Sequence, residues 1–343
     1  MRLAAEARLA RLPYTVRRDV EDGFEVWILE DAAARAAAWI VPDIGLNLYR
    51  LSVEPDGHEA AIIDPPPTLA DLRRDPCGFG MPVLFPFPGR IPGCAFTFGG
   101  RTYRLRPRRE PAAGPQECLH GLVLDLPWQV TSHGVDPEEG AILVGRIESE
   151  AFPELAGQYP SAFRLEMAYR LRGWMLTAEA RVQNVGNEDL PAGYGLHPYL
   201  HAPIDHETSV GGCVIEVPAT RRWELVDAVP TGRLLPLEED VARGVSLEGR
   251  SFDEVYTGLL LTEGVSRCVL SDTRARLATT VEADRSFRNW VVYTPPRPAV
   301  CLEPWTTIPN ALNLAQQGID TGLDVLQPGE SRTWTVRIRV KRI

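Results

Sequence analysis

Residues 163–184 read FRLEMAYRLRGWMLTAEARVQN, and this stretch decides the fold. In its first half Phe163, Leu165, Met167, Tyr169 and Leu171 fall on one side of an extended chain, with Arg164, Glu166 and Arg170 on the other. After Arg172-Gly173 the pattern repeats: Leu176, Ala178, Ala180 and Val182 alternate with Thr177, Glu179, Arg181 and Gln183. Successive strand side chains point to opposite faces, so two such runs around a glycine turn predict an antiparallel hairpin with one apolar and one wet face. An apolar sheet face is stable only against a second layer.

The same signal recurs along the chain. Near the C-terminus Trp334, Val336, Ile338 and Val340 alternate with Thr335, Arg337 and Arg339. Further strands are predicted over residues 24–30, 36–42, 46–53, 59–64, 127–133, 141–149, 190–195, 212–218, 257–262, 277–282, 289–294 and 299–303. Helical pattern is scarce: residues 68–75 and 251–257 suit a turn or two, and Ala33–Ala38 is too short to stand alone. Thirty prolines and 29 glycines punctuate many short elements. Without repeats or a low-complexity linker, the 343 residues read as one all-β domain, a large antiparallel β-sandwich with few short helical turns. Residues 1–22 read as a loosely ordered extension, and Met1–Arg8 as a frayed start or short helix rather than a signal peptide.

A formal charge of −10 argues against nucleic acid or an anionic membrane as partner, since both require a basic surface. No apolar run approaches the length of a membrane span. Cys77, Cys94, Cys118, Cys213, Cys268 and Cys301 are scattered without a Cys-x-x-Cys pair, and they read as small buried hydrophobes in a reducing cytoplasm.

Two short segments carry the chemistry. His197, in Gly195-Leu196-His197-Pro198-Tyr199, follows a strand and precedes a proline that holds it in an extended or turn conformation. Glycines 193 and 195 leave room for close approach of backbone or ligand. Glu303 ends the apolar run Ala299-Val300-Cys301-Leu302, where lost hydration raises a carboxylate's pKa and makes it a better base. It suits equally a structural ion pair with an arginine. An imidazole and a carboxylate facing each other across a sugar-sized gap move two protons in opposite directions, as opening a cyclic hemiacetal requires. His197 and His201 stand four apart, a zinc spacing on a helix, but Pro198 argues against a helix there and no nearby acid completes the set.

Other candidates surround this pair. His120, before Gly121, offers a second imidazole. Arg90 follows the stiff Phe85-Pro86-Phe87-Pro88-Gly89 and would present its guanidinium as a fixed fork. Asp253 suits either sugar hydroxyls or a helical cap. Trp305 and Trp128 offer flat faces to a pyranose, or belong to the core.

Taken in order, Pro88-Gly89-Arg90-Ile91, His120-Gly121, Gly195–Tyr199 and Cys301-Leu302-Glu303-Pro304-Trp305-Thr306 resemble the aldose 1-epimerase (galactose mutarotase-like) family, over nearly the whole chain from Pro42. The resemblance implies that family's supersandwich with a shallow sugar cleft, and α/β anomer interconversion without metal or organic cofactor. It implies Glu303 as base at the anomeric hydroxyl, His197 as acid at the ring oxygen, and His120, Arg90 and Asp253 as sugar-binding groups. It includes a hairpin over Phe96–Tyr103. The chain departs from the family in carrying Gly89 where many relatives have asparagine, and Gly-Leu-Val after His120.

The Leu-Glu-Pro-Trp-Thr form resembles a branch related to hexose-phosphate epimerases, in which Arg90, Arg101, Arg104 and Arg106–Arg109 would meet a phosphate. An exposed basic hairpin is the preferred reading of that cluster. The rivals to a free-aldose epimerase are thus a hexose-6-phosphate 1-epimerase and a non-catalytic sugar-binding or sensing protein. A glycoside hydrolase would want a second carboxylate, and no comparable motif supplies one. The expected partner is a small-molecule sugar, with the protein a monomer or homodimer.

Overall fold

The computed structural model describes residues 12–107, 117–205 and 209–343. Its centre is the expected hairpin: Phe163–Arg172 pairs antiparallel with Met175–Asn184, Leu165 opposite Val182 and Leu171 opposite Leu176. Gly173 makes the turn and donates its backbone N–H to Asp31 at 2.7 Å, while Trp174 donates to the carbonyl of Ala34 at 2.8 Å. The hairpin tip is thereby fastened to the other sheet.

Around it runs a nine-stranded sheet in the order Gln129–Asp136, Gly140–Glu148, Phe163–Arg172, Met175–Asn184, Ser331–Arg342, Leu277–Asp284, Val265–Asp272, Cys213–Glu216 and Val245–Ser246. Facing it, a thirteen-stranded sheet runs Tyr14–Glu21, Phe24–Asp31, Ala36–Val41, Asn47–Val53, Ala60–Ile63, Tyr199–His201, Ala299–Trp305, Asn289–Tyr293, Asp253–Thr257, Arg221–Val226 and Val229–Pro236. Val83–Leu84 and Gly195–Leu196 attach beside Ala299–Trp305. Neighbouring strands are antiparallel in both sheets.

Leu165, Met167, Trp334 and Val336 from one sheet meet Trp290, Val292, Val300 and Leu302 from the other in a single core. Fully burying each such side chain is worth about 1.5–3 kcal/mol against exposure. The outer face of the nine-stranded sheet is charged, with Arg164 bonded to Glu148 at 2.8 Å and Arg146 to Glu166 at 3.3 Å. The all-β sandwich inferred from the sequence is the observed fold.

Ala299–Trp305 is buried on both faces. Val300 and Leu302 enter the sandwich core, while Cys301, Glu303 and Trp305 point the other way. There Trp305 joins Trp223, Val255 and Val291 in a second apolar cluster. This is why the strand reads as a continuous apolar run instead of an alternation.

Several expectations are corrected. Of residues 1–22, Tyr14–Glu21 is a strand paired along its length with Phe24–Asp31, while residues 1–11, which include Met1–Arg8, lie outside the described residues. Residues 251–257 contain the strand Asp253–Thr257, not a helical turn, because they pair with Asn289–Tyr293. Of the strand expected over 257–262 only Thr257 belongs to a strand, the end of Asp253–Thr257, and a bend follows at Gly258. The helix predicted over 68–75 is present as Leu69–Arg74, with the Thr68 hydroxyl accepting from the Asp71 backbone. A second helix, Ala311–Gln316, was not anticipated. Cys94 and Cys118 form a disulfide, contrary to the reading of all six cysteines as thiols. Cys213, Cys268 and Cys301 are buried thiols, and Cys77 is a half-buried thiol.

Candidate active site

The site is assembled on the face of the large sheet that looks away from the core. Residues directly opposite in antiparallel strands share a face. Asp253 opposes Tyr293, Tyr293 opposes Cys301, and Cys301 opposes Tyr199, giving one row across four strands. In the next row Glu303 opposes Val291, and beyond it Trp305 opposes Asn289 and Gly195. Gly195 is required because a Cβ there would lie 2.7 Å from Cδ1 of Trp305. The close approach anticipated at this glycine is thus made by the Trp305 ring.

His197 stands between Gly195–Leu196 and Tyr199–His201, its backbone N–H donated to Pro82 at 3.1 Å. Its Nε2 lies 3.3 Å from Oε1 of Glu303. The other carboxylate oxygen, Oε2, accepts the indole N–H of Trp305 at 3.1 Å. Glu303 is 1 % exposed and His197 5 %. Around the imidazole, Tyr199 stacks in parallel at 4.6 Å, while His120 and Tyr293 stand edge-on at 5.3 and 6.3 Å. His120 in turn meets Trp305 edge-on at 5.7 Å.

Electrostatics push both members of the pair toward their uncharged forms. Burial holds the Glu303 carboxyl well above the usual carboxylate range; the Trp305 N–H pulls it down, and the charge of Asp253 pushes it up again. Burial lowers His197 to about 3, a contact with its own backbone opposing this and the charge of Arg297 adding to it. The 3.3 Å separation alone would fit an ion pair. Burial of both groups opposes it, favouring a neutral imidazole beside a protonated carboxyl.

His120 and Gly89 exchange two hydrogen bonds: the His120 N–H donates to the Gly89 carbonyl at 2.9 Å, and the Gly89 N–H donates to His120 Nδ1 at 3.1 Å. The second bond fixes the tautomer, leaving the proton of the neutral ring on Nε2. Gly89 has φ +73°, and a Cβ there would lie 2.8 Å from Pro309, which accounts for glycine at this position. Arg90 and Leu119 oppose each other in the ribbon formed by Arg90–Pro92 and Glu117–Leu119, so Arg90 sits one step from His120. The Cys94–Cys118 disulfide closes this ribbon.

The structure therefore brings together His197, Glu303, His120 and Trp305. Asp253 is exposed at the end of its row and close enough to act on Glu303. Trp305 is buried, with its N–H on Glu303, so it supports the carboxylate instead of presenting an open face. Trp128 belongs to the sandwich core and bonds the Val123 carbonyl. Arg101 and Arg104 are exposed on the short hairpin Ala95–Phe98/Arg101–Arg104, and Arg108 and Arg109 lie outside the described residues.

His201 Nδ1 lies 2.6 Å from the Pro203 carbonyl oxygen. Among the described residues, the grouping with ligand atoms close enough to hold a metal is His197, Cys301 and Glu303, within 4.8 Å of one another. Burial pushes the Cys301 thiol up, favouring its protonated form.

Sequence reasoning missed Tyr199, Tyr293, Cys301 and Arg297 as parts of the site. Arg297 carried a usable signal: Pro295, Pro296 and Pro298 flank it, the same stiff context that marked Arg90.

With this geometry in hand, the comparisons with known proteins agree. A family described as aldose 1-epimerase matches residues 32–339. The Escherichia coli K12 protein YphB, itself uncharacterized, is 27 % identical over 268 residues, covering 75 % of this chain and 82 % of that protein. A galactose mutarotase-like protein from Clostridium acetobutylicum superposes with a TM-score of 0.86 at 20 % identity, covering 96 % of this chain and 99 % of that one. Galactose 1-epimerase from Lactobacillus acidophilus gives 0.73 at 15 % identity over 96 % and 99 %. At these identities the two solved structures establish likeness of fold.

Proposed function

The chain belongs to the aldose 1-epimerase family, and from that premise we propose that it interconverts the α and β anomers of a free hexose or related aldose without a cofactor. The observation that carries this reading is the 3.3 Å approach of His197 Nε2 to Glu303 Oε1, with both groups buried on the outward face of the large sheet.

The pair starts with a single shared proton. Placed on His197, that proton leaves Glu303 as a carboxylate; a hemiacetal whose anomeric hydroxyl faces Oε1 and whose ring oxygen faces Nε2 then meets a base and an acid side by side. Glu303 takes the proton of the anomeric hydroxyl as His197 Nε2–H protonates the ring oxygen. The C1–O5 bond breaks and C1 becomes an aldehyde. Rotation about C1–C2 presents the other face of the carbonyl. Ring closure returns the proton from Glu303 to the new anomeric oxygen and the ring-oxygen proton to His197, so the protein ends as it began. Acid–base assistance of this kind contributes ~10²–10⁴-fold. Trp305 steadies the carboxylate through its 3.1 Å bond to Oε2, so Oε1 is the oxygen that takes the proton. His120 Nε2–H and Arg90 are donors for sugar oxygens, and Asp253 an acceptor for sugar hydroxyls.

A free sugar is favoured over a sugar phosphate. Arg297 is bonded to Asp64 at 2.6 Å, and Arg101, on the exposed hairpin, lies 3.7 Å from Glu188. Turnover is favoured over mere binding because a binder has no use for a buried pair poised to exchange one proton.

The test is anomer exchange followed by NMR saturation transfer over a panel of aldoses and hexose 6-phosphates, comparing wild type with Glu303→Gln and His197→Asn. Exchange accelerated by wild type and lost in both folded variants supports the reading. A protein that binds a sugar yet never accelerates its exchange is a sensor instead. Faster exchange of 6-phosphates than of free aldoses reassigns the substrate.

A further inference from the structure

The packing that fixes His197 does not end at Tyr199. Tyr199 lies parallel to the imidazole at 4.6 Å, with an interplanar angle of 13°. The Arg297 guanidinium carbon sits 4.7 Å from the Tyr199 ring and 4.4 Å from the Phe79 ring. Two groups stacked so closely on one ring take its opposite faces. The result is a column of Phe79, Arg297, Tyr199 and His197 that leads to the proton-transfer pair.

Hydrogen bonds hold the column from the side. Arg297 Nε donates to Asp64 Oδ2 at 2.6 Å, and a terminal N–H donates to the Gly78 carbonyl at 2.5 Å. The Tyr199 hydroxyl donates to the Cys77 carbonyl at 2.8 Å, and the Asp64 N–H to the Tyr199 carbonyl at 2.8 Å. A planar guanidinium is suited to this task, because it stacks on two aromatic faces while its edge bonds two acceptors.

We propose that Arg297 is a positioning residue for proton transfer: it clamps Tyr199, and through Tyr199 sets the plane of the His197 imidazole against Glu303. This rests on the epimerase reading above. His197 has no other side-chain anchor on that side, since its Nδ1 is buried without a hydrogen-bond partner among the described residues. Ring packing therefore decides its orientation.

The charge of Arg297 has a second consequence. The groups facing His197 are Glu303 and Cys301 from Ala299–Trp305, Tyr293 from the neighbouring strand, His120 from its ribbon, and Tyr199 with Arg297 and Asp64 behind it. Burial pushes the Cys301 thiol and the Tyr199 and Tyr293 hydroxyls up, which keeps them neutral. Arg297 is the cation that opposes protonation of His197. Removing it makes a second proton on the pair easier to add.

The experiment labels the histidines with ¹⁵N and follows their ring nitrogens against pH in the unliganded full chain. His197 is assigned by the signal lost in His197→Asn, and Arg297→Met is compared with Arg297→Lys, which keeps the charge but not the fork. Anomer exchange is measured alongside. Arg297→Met is expected to raise the His197 midpoint by roughly one pH unit, the size of a charge acting across two ring spacings. It should lower kcat by ~10–100-fold, the scale of a small misplacement of a catalytic group, with little change in KM. Arg297→Lys should keep the midpoint and lose part of kcat. A His197 titration and kcat unchanged in both variants, or a change confined to KM, overturns the proposal. If Arg297→Met does not fold, the Lys variant decides on kcat against KM and on the His197 ring shifts. Should wild type accelerate no sugar's exchange, the epimerase reading falls, while the ring-nitrogen titration still reports whether Arg297 governs His197.

Discussion

Trp305 donates its indole N–H to Oε2 of Glu303 at 3.1 Å, which leaves Oε1 to face Nε2 of His197. The two residues are neighbours on one face of the same strand, so the base and its support move as a unit. A buried carboxylate would otherwise pivot or stay protonated; this bond aims one oxygen and favours the charged form.

Trp305→Phe tests that relationship. It keeps an apolar ring and removes the donor that pulls the Glu303 pKa down. The last proton of the pair is then held more tightly, so the alkaline limb of kcat/KM moves to higher pH. A hydrogen bond to a charged group is worth about 1.5–3 kcal/mol, enough for a shift of roughly one pH unit or more. A pH–rate profile of the variant checks it; an unmoved alkaline limb contradicts it.

Glu303→Gln and His197→Asn should each reduce accelerated exchange by ~10²–10⁴-fold. Because the two act as one proton-sharing unit, the double variant should be little worse than either single one. Circular dichroism and the urea midpoint show whether each variant keeps the fold. Equal multiplicative losses would mean the groups act separately.

The wild-type pH profile follows from the one-proton pair. A second proton adds only as pH falls toward His197, held at about 3. The single proton leaves only above the raised Glu303 pKa. Activity should therefore stay level across neutral pH, fall on the alkaline side later than an ordinary carboxylate would dictate, and fall on the acid side only near the low His197 value. Measuring kcat/KM from pH ~3 to ~10, with the buffer rate subtracted, decides this. An acid limb at an ordinary histidine pKa would show that His197 is not buried in solution.

Gly121→Ala should destabilise the chain. Gly121 has φ +77°, and an added Cβ would fall 2.0 Å from the Phe85 carbonyl oxygen. Alanine is strained in that conformation and cannot avoid backbone, so a loss above ~1 kcal/mol is expected from urea unfolding. Since His120 is the preceding residue, KM should rise as well.

Reducing the Cys94–Cys118 disulfide, or replacing Cys94 by Ser, should cost stability. Closing a loop of 24 residues contributes on the order of 3 kcal/mol in the chain-entropy account. The bond closes the ribbon that carries Arg90 and His120, so KM should rise more than kcat falls. Kinetics with and without a thiol reductant measure both. Unchanged stability on reduction would show that the two cysteines are not bonded in solution.

Where a strand's apolar residues alternate, the chain was legible: 163–184 and 331–342 are found with their inward and outward faces as read. Val265–Asp272 was missed because its buried positions are Ser266, Cys268, Leu270 and Asp272, while Val265 and Val269 are less buried. Tyr14–Glu21 was missed because its residues are exposed or half-buried, so no apolar face marks it. Its stability comes from the ladder with Phe24–Asp31.

The sequence by itself determined the layered β architecture and the family, because these depend on local periodicity and on short segments; it also singled out His197, Glu303, His120 and Arg90 as candidates. Tertiary structure alone decided that Cys301 and Tyr199 share a row, that Trp305 supports Glu303 instead of offering an open face, and that Arg297 backs His197 through Tyr199. The reason is register. Which residues of distant strands stand opposite one another is fixed by pairing across the whole sheet, and a slip of one residue would turn every side chain to the other face.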